Sequence, residues 1–142
     1  MAISTAFCSS FKQGLMQGLH NFSNPGGDIF KIALYTSDAT LGASTTAYST
    51  TNEVIGSNYI AGGNVLSSVT PTISGTTAFT DFSDSTWASS TITANGALIY
   101  NLSASNASCV VLAFGSDKSS TNGDFTIVFP TASASTAIIR IS

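Results

Sequence analysis

Apolar residues recur at Phe7, Phe11, Leu15 and Leu19, followed by Phe22, which is the spacing of one helical face. This predicts an N-terminal helix over residues 6–22, with Gln13, Gln17 and His20 on its polar side. Gly14 and Gly18 fall within or beside the apolar stripe, so the helix is expected to meet another backbone closely there. Asn24-Pro25-Gly26-Gly27 ends it. After Asp28 the period drops to two: Phe30, Ile32 and Leu34 alternate with Lys31, Ala33 and Tyr35, a strand with one apolar face. Further runs of strand character cover residues 65–70, 77–82, 91–100, 108–114, 125–129 and 137–141, each bounded by Gly, Asn, Asp, Ser or Pro. Ser37 to Asn64 is the least regular stretch and predicts a long excursion, the kind of loop that carries contacts. Asp117 to Asp124 predicts a hairpin-like connection, with Asn122-Gly123 able to take positive φ.

Short strands separated by turn signals, with one helix, predict an all-β domain spanning residues 1–142. It is an antiparallel β-sandwich of jelly-roll or Greek-key kind over 28–142, preceded by the helix at 6–22. Composition fits this picture. The 142 residues include 24 Ser and 19 Thr but only 8% charged side chains, so hydroxyls take the place of charge on the solvent-facing strand positions. With 43% apolar residues the chain is too hydrophobic for a disordered tail. Net charge is -3 and the four cations, Lys12, Lys31, Lys118 and Arg140, are dispersed, which argues against nucleic-acid binding. No apolar run is long enough to span a bilayer, and Met1-Ala2-Ile3-Ser4 lacks the start of an export signal, so neither membrane nor export machinery is expected as a destination.

The chain offers few residues for chemistry. The single histidine, His20, would have to serve any Ser-His-Asp arrangement, yet its place on the polar helix face predicts a solvated or interface residue. Ser9-Ser10-Phe11-Lys12 matches a short Ser-x-x-Lys pattern without its partner motifs. Asp81 with Asp84, and Asp117 with Asp124, could approach a cation, but neither pair has a calcium-loop spacing and turn-forming Asp is the better reading. Cys8 and Cys109 permit one disulfide; the apolar run around Cys109 suits a buried free thiol. Asn21, Asn101 and Asn106 head glycosylation sequons that matter only in a secreted eukaryotic protein. Phe30, Phe114, Phe125 and Phe129 are expected in the core. Trp87 and Tyr59 lie near Ser/Gly-rich connections and could anchor a partner, although core packing is favoured. No catalytic, cofactor-binding or metal residue is assigned, and an enzyme is not expected.

Residues 11–15 (Phe-Lys-Gln-Gly-Leu), 27–36 (Gly-Asp-Ile-Phe-Lys-Ile-Ala-Leu-Tyr-Thr), Asn52-Glu53-Val54-Ile55-Gly56 with Tyr59 and Ala61-Gly62-Gly63, and Gly96-Ala97-Leu98-Ile99-Tyr100 resemble stretches of small virion proteins of tailed bacteriophages. The resemblance covers most of the chain, and its motifs are structural. It implies a capsid cement or decoration protein that bridges major capsid subunits, with sister copies and the major capsid protein as partners. The location it implies is the outer capsid surface, after assembly in the host cytoplasm. By the same resemblance the N-terminal helix and the long excursion are the expected contacts. A tail or fibre component, and a carbohydrate-binding or adhesin-like module stacking sugars on Trp87 and Tyr59, are the alternatives.

Overall fold

The computed structural model describes residues 2–142. A short strand, β1 (Ala6–Phe7), leads into helix α1 (Ser9–Met16). Then follow β2 (Phe30–Tyr35), β3 (Asn64–Val65), β4 (Ser68–Ser74), β5 (Thr77–Phe82), β6 (Ser85–Asn101), a 3-10 turn over Leu102–Ala104, β7 (Ala107–Ile127) and β8 (Ile139–Ile141). Two sheets result, one ordered β1-β7-β6-β2-β3 and the other β4-β5-β8, with every neighbouring pair antiparallel. The described residues are thus mostly β with a single α-helix, as the periodicity predicts.

A line of aromatic rings holds the layers together. Phe11 of α1 meets Phe22 edge-on at 6.1 Å, and Phe22 stacks on Phe30 of β2 at 4.3 Å. Phe30 and Phe22 both reach Phe82 of the second sheet, and Phe82 touches Phe129 at 5.5 Å. Offset and edge-on ring pairs of this kind add to the burial of large apolar surface, so this line ties the two sheets together. In β2 both faces are buried: Ala33 and Tyr35 are as enclosed as Ile32 and Leu34. The expectation of one apolar face is corrected because the excursion after β2 folds back on the strand, with the Tyr35 hydroxyl donating to the Ser49 carbonyl at 2.6 Å.

The predicted helix over 6–22 is too long. Ala6 and Phe7 pair with Val111 and Val110 of β7, and the helix stops at Met16. The stop is a Schellman motif: Gly18 N–H donates to Leu15 O at 3.2 Å and Leu19 N–H to Gly14 O at 2.9 Å, with Gly18 left-handed at φ 72°. Leu19 and Phe22 keep the helical spacing by coincidence, and only Phe22 reaches the core. The close-packing reading of the two glycines is corrected as well. Nothing lies within 4 Å of a Cβ built on Gly18, whereas at Gly14 a Cβ would meet the His20 ring, a side chain and not a backbone. Gly18→Leu is therefore expected to cost about 1–2 kcal/mol through backbone strain alone, and Gly18→Asn clearly less. Equal losses in urea titrations would contradict that assignment.

The segment 117–124 is no connection but the middle of β7, which runs unbroken beside β6. Turn-type residues in and just before it serve bulges: Gly115 and Asn122 take φ of 82° and 49° where the ladder shifts register. Bulges of this kind also blunt an outer strand against unwanted pairing, since β1 covers only Val110 and Val111. The true reversal comes at the 3-10 turn, where Ser105 and Asn106 are left-handed. The run expected over 65–70 divides into β3 and β4, which belong to different sheets.

Candidate functional site

The excursion between β2 and β3 is tied down at several points. Thr36 N–H donates to Asn52 O at 3.0 Å and Val54 N–H to Leu34 O at 2.9 Å, so residues 52–54 return to the end of β2. This brings Glu53, the chain's sole glutamate, into the interior with 7% of its surface exposed. Its Oε1 accepts from the Tyr59 hydroxyl and the Gly62 N–H, both at 2.7 Å, and its Oε2 accepts from the Tyr48 hydroxyl at 2.7 Å. The network extends outward: Leu34 N–H donates to the Tyr59 oxygen at 2.8 Å, and the Tyr100 hydroxyl donates to Gly62 O at 2.7 Å. Tyr48 stacks on Tyr100 with centroids 4.6 Å apart. Burial pushes the Tyr100 phenol up to about 12, with Glu53 adding to the shift; Tyr35, Tyr48 and Tyr59 are raised by the same two causes, burial first. All four therefore remain neutral hydrogen-bond donors through the physiological range.

The tip of the excursion is fixed as well. Ser57 bridges to Thr91 of β6, and Asn58 Nδ2 donates to Ser89 O at 2.8 Å. Between these anchors the side chains alternate in fate. Tyr59 points inward, while Ile55 is 99% exposed and Ile60 80% exposed. The segment thus spends its polar groups on internal bracing and leaves two isoleucines in water. The resemblance stretch at 52–63 is thus a brace and its tip. Sequence reading marked the stretch but missed Glu53 as its centre; a lone glutamate followed by Val54 and Ile55 was the available signal.

A second buried polar group surrounds His20. The expectation of a solvated histidine is corrected: its exposure is 9%, with Phe11 at 4.9 Å between centroids and Asn101 Nδ2 at 3.0 Å from Nδ1. Asn101 Nδ2 also donates to Asp28 Oδ2 at 2.8 Å, and Asn101 is fully buried, which excludes it as a glycan acceptor in the folded chain. The helix ends early, so His20 lies beyond α1 and turns inward to fill the space left by Gly14. Desolvation lowers the His20 pKa below its ordinary 6.5, and Asp28 opposes that shift. The folded state consequently binds fewer protons than the unfolded chain just below pH 6.5. The contribution is complete above that pH and is lost as pH falls through it, by at most about 1.4 kcal/mol per pH unit for one proton. Urea titrations at pH 7.5 and 5.5 check this: the wild type loses stability at the lower pH, and His20→Leu should flatten the difference. An unchanged pH dependence in the variant would contradict it.

The carboxylates divide into separate clamps. Asp84 Oδ1 accepts from Phe129 N–H at 2.8 Å, Asp124 Oδ1 from Ser89 N–H at 3.2 Å, and Asp117 Oδ1 from Asn95 Nδ2 at 2.9 Å. Asp81 is 1% exposed and accepts from the Phe82 N–H at 2.8 Å; its pKa is raised, chiefly by burial. Asp117 and Asp124 thus brace a strand and do not flank a loop. Among the described residues no group of three or more His, Cys, Asp or Glu side chains gathers to hold a metal ion, and no helix is long and apolar enough to cross a membrane. Trp87 and Tyr59 are core residues, 4% and 9% exposed and stacked 5.9 Å apart, so neither ring face is free for a sugar.

Comparison with protein-family models, curated proteins and solved structures finds no match to the chain.

Proposed function

We propose that this chain is a non-enzymatic virion structural protein of a tailed bacteriophage, a capsid cement that bridges and stabilises major capsid subunits. In this reading the two sheets form a β-sandwich of jelly-roll or Greek-key kind. The chain then sits on the outer capsid surface after assembly in the host cytoplasm, beside sister copies of itself. The observation that carries the proposal is the braced tip with Ile55 and Ile60 in solvent. A contact surface that is rigid before binding loses little conformational entropy on docking, which suits a protein that works by stoichiometric packing. Low charge supports the reading, because identical neighbours on a crowded shell then repel one another weakly.

Particles assembled without the chain test it. They should release DNA at a lower temperature than complete particles, and purified protein added back should restore the difference. Protein carrying Ile55→Asp and Ile60→Asp should fold with an unchanged melting temperature and fail to restore it. DNA release that is indifferent to the chain, or full rescue by the double variant, would overturn the proposal.

A further inference from the structure

His20 lies in the turn after α1, yet its ring is enclosed between that helix and the first sheet. Phe11 of α1 stands 4.9 Å from it between centroids, and Phe30 of β2 6.4 Å. The proton on this ring has one place to be. Asn101, fully buried in β6, accepts from the Ala104 N–H through Oδ1 at 3.2 Å, while its Nδ2 faces both Asp28 Oδ2 at 2.8 Å and His20 Nδ1 at 3.0 Å. Turning the amide over would set Oδ1 against the Asp28 carboxylate and take the acceptor from the Ala104 N–H, so the nitrogen is the atom that faces the ring. An amide nitrogen only donates; His20 Nδ1 therefore accepts, and the ring proton sits on Nε2. Nε2 in turn is buried with no hydrogen-bond partner among the described residues and lies over Gly14, where a Cβ would stand 2.8 Å from it. A second proton has no acceptor to meet: placed on Nδ1, it points at the donor Nδ2.

We infer that His20 is an acid-released latch: protonation expels the ring from the core and frees α1 and the turn after it, residues 9–21, while the two sheets stay folded. The groups facing the ring do not hold the cation in place. From α1 come Phe11 and Gly14 and from β2 Phe30, none of them charged. From β7 comes Cys109, whose Sγ lies 4.0 Å from Nδ1 and whose thiol is kept protonated by burial. Asp28 favours the cation through its charge, but its Oδ2 is taken by the Asn21 N–H at 2.9 Å and by Asn101, and among the described residues it makes no hydrogen bond to the ring. Once the ring leaves, little holds α1. It is 8 residues long, Phe11 and Gly14 are its buried residues, and a helix this short does not persist without packing. The ladder of β2, β6 and β7 uses no residue of 9–21, so the segment can open by itself.

Nuclear magnetic resonance and hydrogen exchange on the full chain test the latch. At pH 7.5 the ring nitrogen shifts of His20 should show a protonated Nε2 and a bare Nδ1. The amides of Lys12, Gln17, Gly18 and Leu19 bond within α1 and its stop. Their protection, corrected for the intrinsic exchange rate, should fall by roughly tenfold for each pH unit below the ordinary histidine value of 6.5. At pH 5.0 the amides of Ile32, Leu34, Ala97 and Ile99 should remain protected about a hundredfold or more beyond them. In His20→Leu the protection of residues 12–19 should not change with pH. A ring proton on Nδ1, protection of residues 12–19 that is indifferent to pH, a loss in which those amides and the sheet amides share one protection factor, or the same loss in His20→Leu would each overturn the inference. The first three are read on the wild-type chain, so they decide the matter even if the variant does not fold.

Discussion

Glu53→Ala is expected to lower the unfolding free energy by about 3–5 kcal/mol, because it leaves several buried donors without an acceptor at once. The Tyr48 and Tyr59 hydroxyls and the Gly62 N–H all converge on this carboxyl group. The Tyr59 hydroxyl and the Gly62 N–H, whose bonds are buried, cannot turn to water without opening the excursion. Glu53→Gln keeps the size and one acceptor oxygen, so its loss should be about 1–2 kcal/mol. Chemical denaturation monitored by tyrosine and tryptophan fluorescence separates the two. Protection of the amides of residues 54–62 from hydrogen exchange should fall far more in the alanine variant. Equal, small losses in both variants would show that the brace does not hold the tip.

Gly63→Ala is expected to be at least as damaging, costing about 4 kcal/mol or more or abolishing folding. Gly63 has φ 75°, and a Cβ built there would overlap the carbonyl oxygen of Ile32 in the neighbouring strand. Relief would require moving either β2, a central strand of its sheet, or the point where the excursion joins β3. Gly75→Ala is the control: its φ is also positive, at 61°, but nothing lies within 4 Å, so only the backbone cost of about 1–2 kcal/mol applies. Soluble yield and urea titration of the two variants check the contrast, which disappears if the neighbouring backbone yields easily.

Much of the fold was legible because its signals are local. The alternation from Phe30 to Tyr35 and the run from Thr77 to Phe82 appear as strands with the expected bounds. The errors arose where one residue type serves two structures. Gly18 in an apolar stripe looks like a packing glycine until backbone hydrogen bonds identify it as a helix end. Asn122-Gly123 has the chemistry of a turn and is used in a bulge, because β6 continues opposite it and supplies partners on both sides. His20 was misplaced as a direct consequence of the helix length, since three residues past a Schellman stop the angular arithmetic no longer applies. The candidate site was legible only as a stretch of residues. That Glu53 gathers partners from positions 48, 59 and 62 depends on the path of the loop, which carries no periodic signature.

The proposed function depends most on where the braced tip docks. Cryo-electron microscopy of particles that contain the chain tests this most directly. The proposed function predicts regular density on the outer shell in fixed ratio to the major capsid protein, with Ile55 and Ile60 buried against a capsid subunit or a sister copy. Density confined to the tail, or a shell-bound chain whose tip faces solvent, would contradict it.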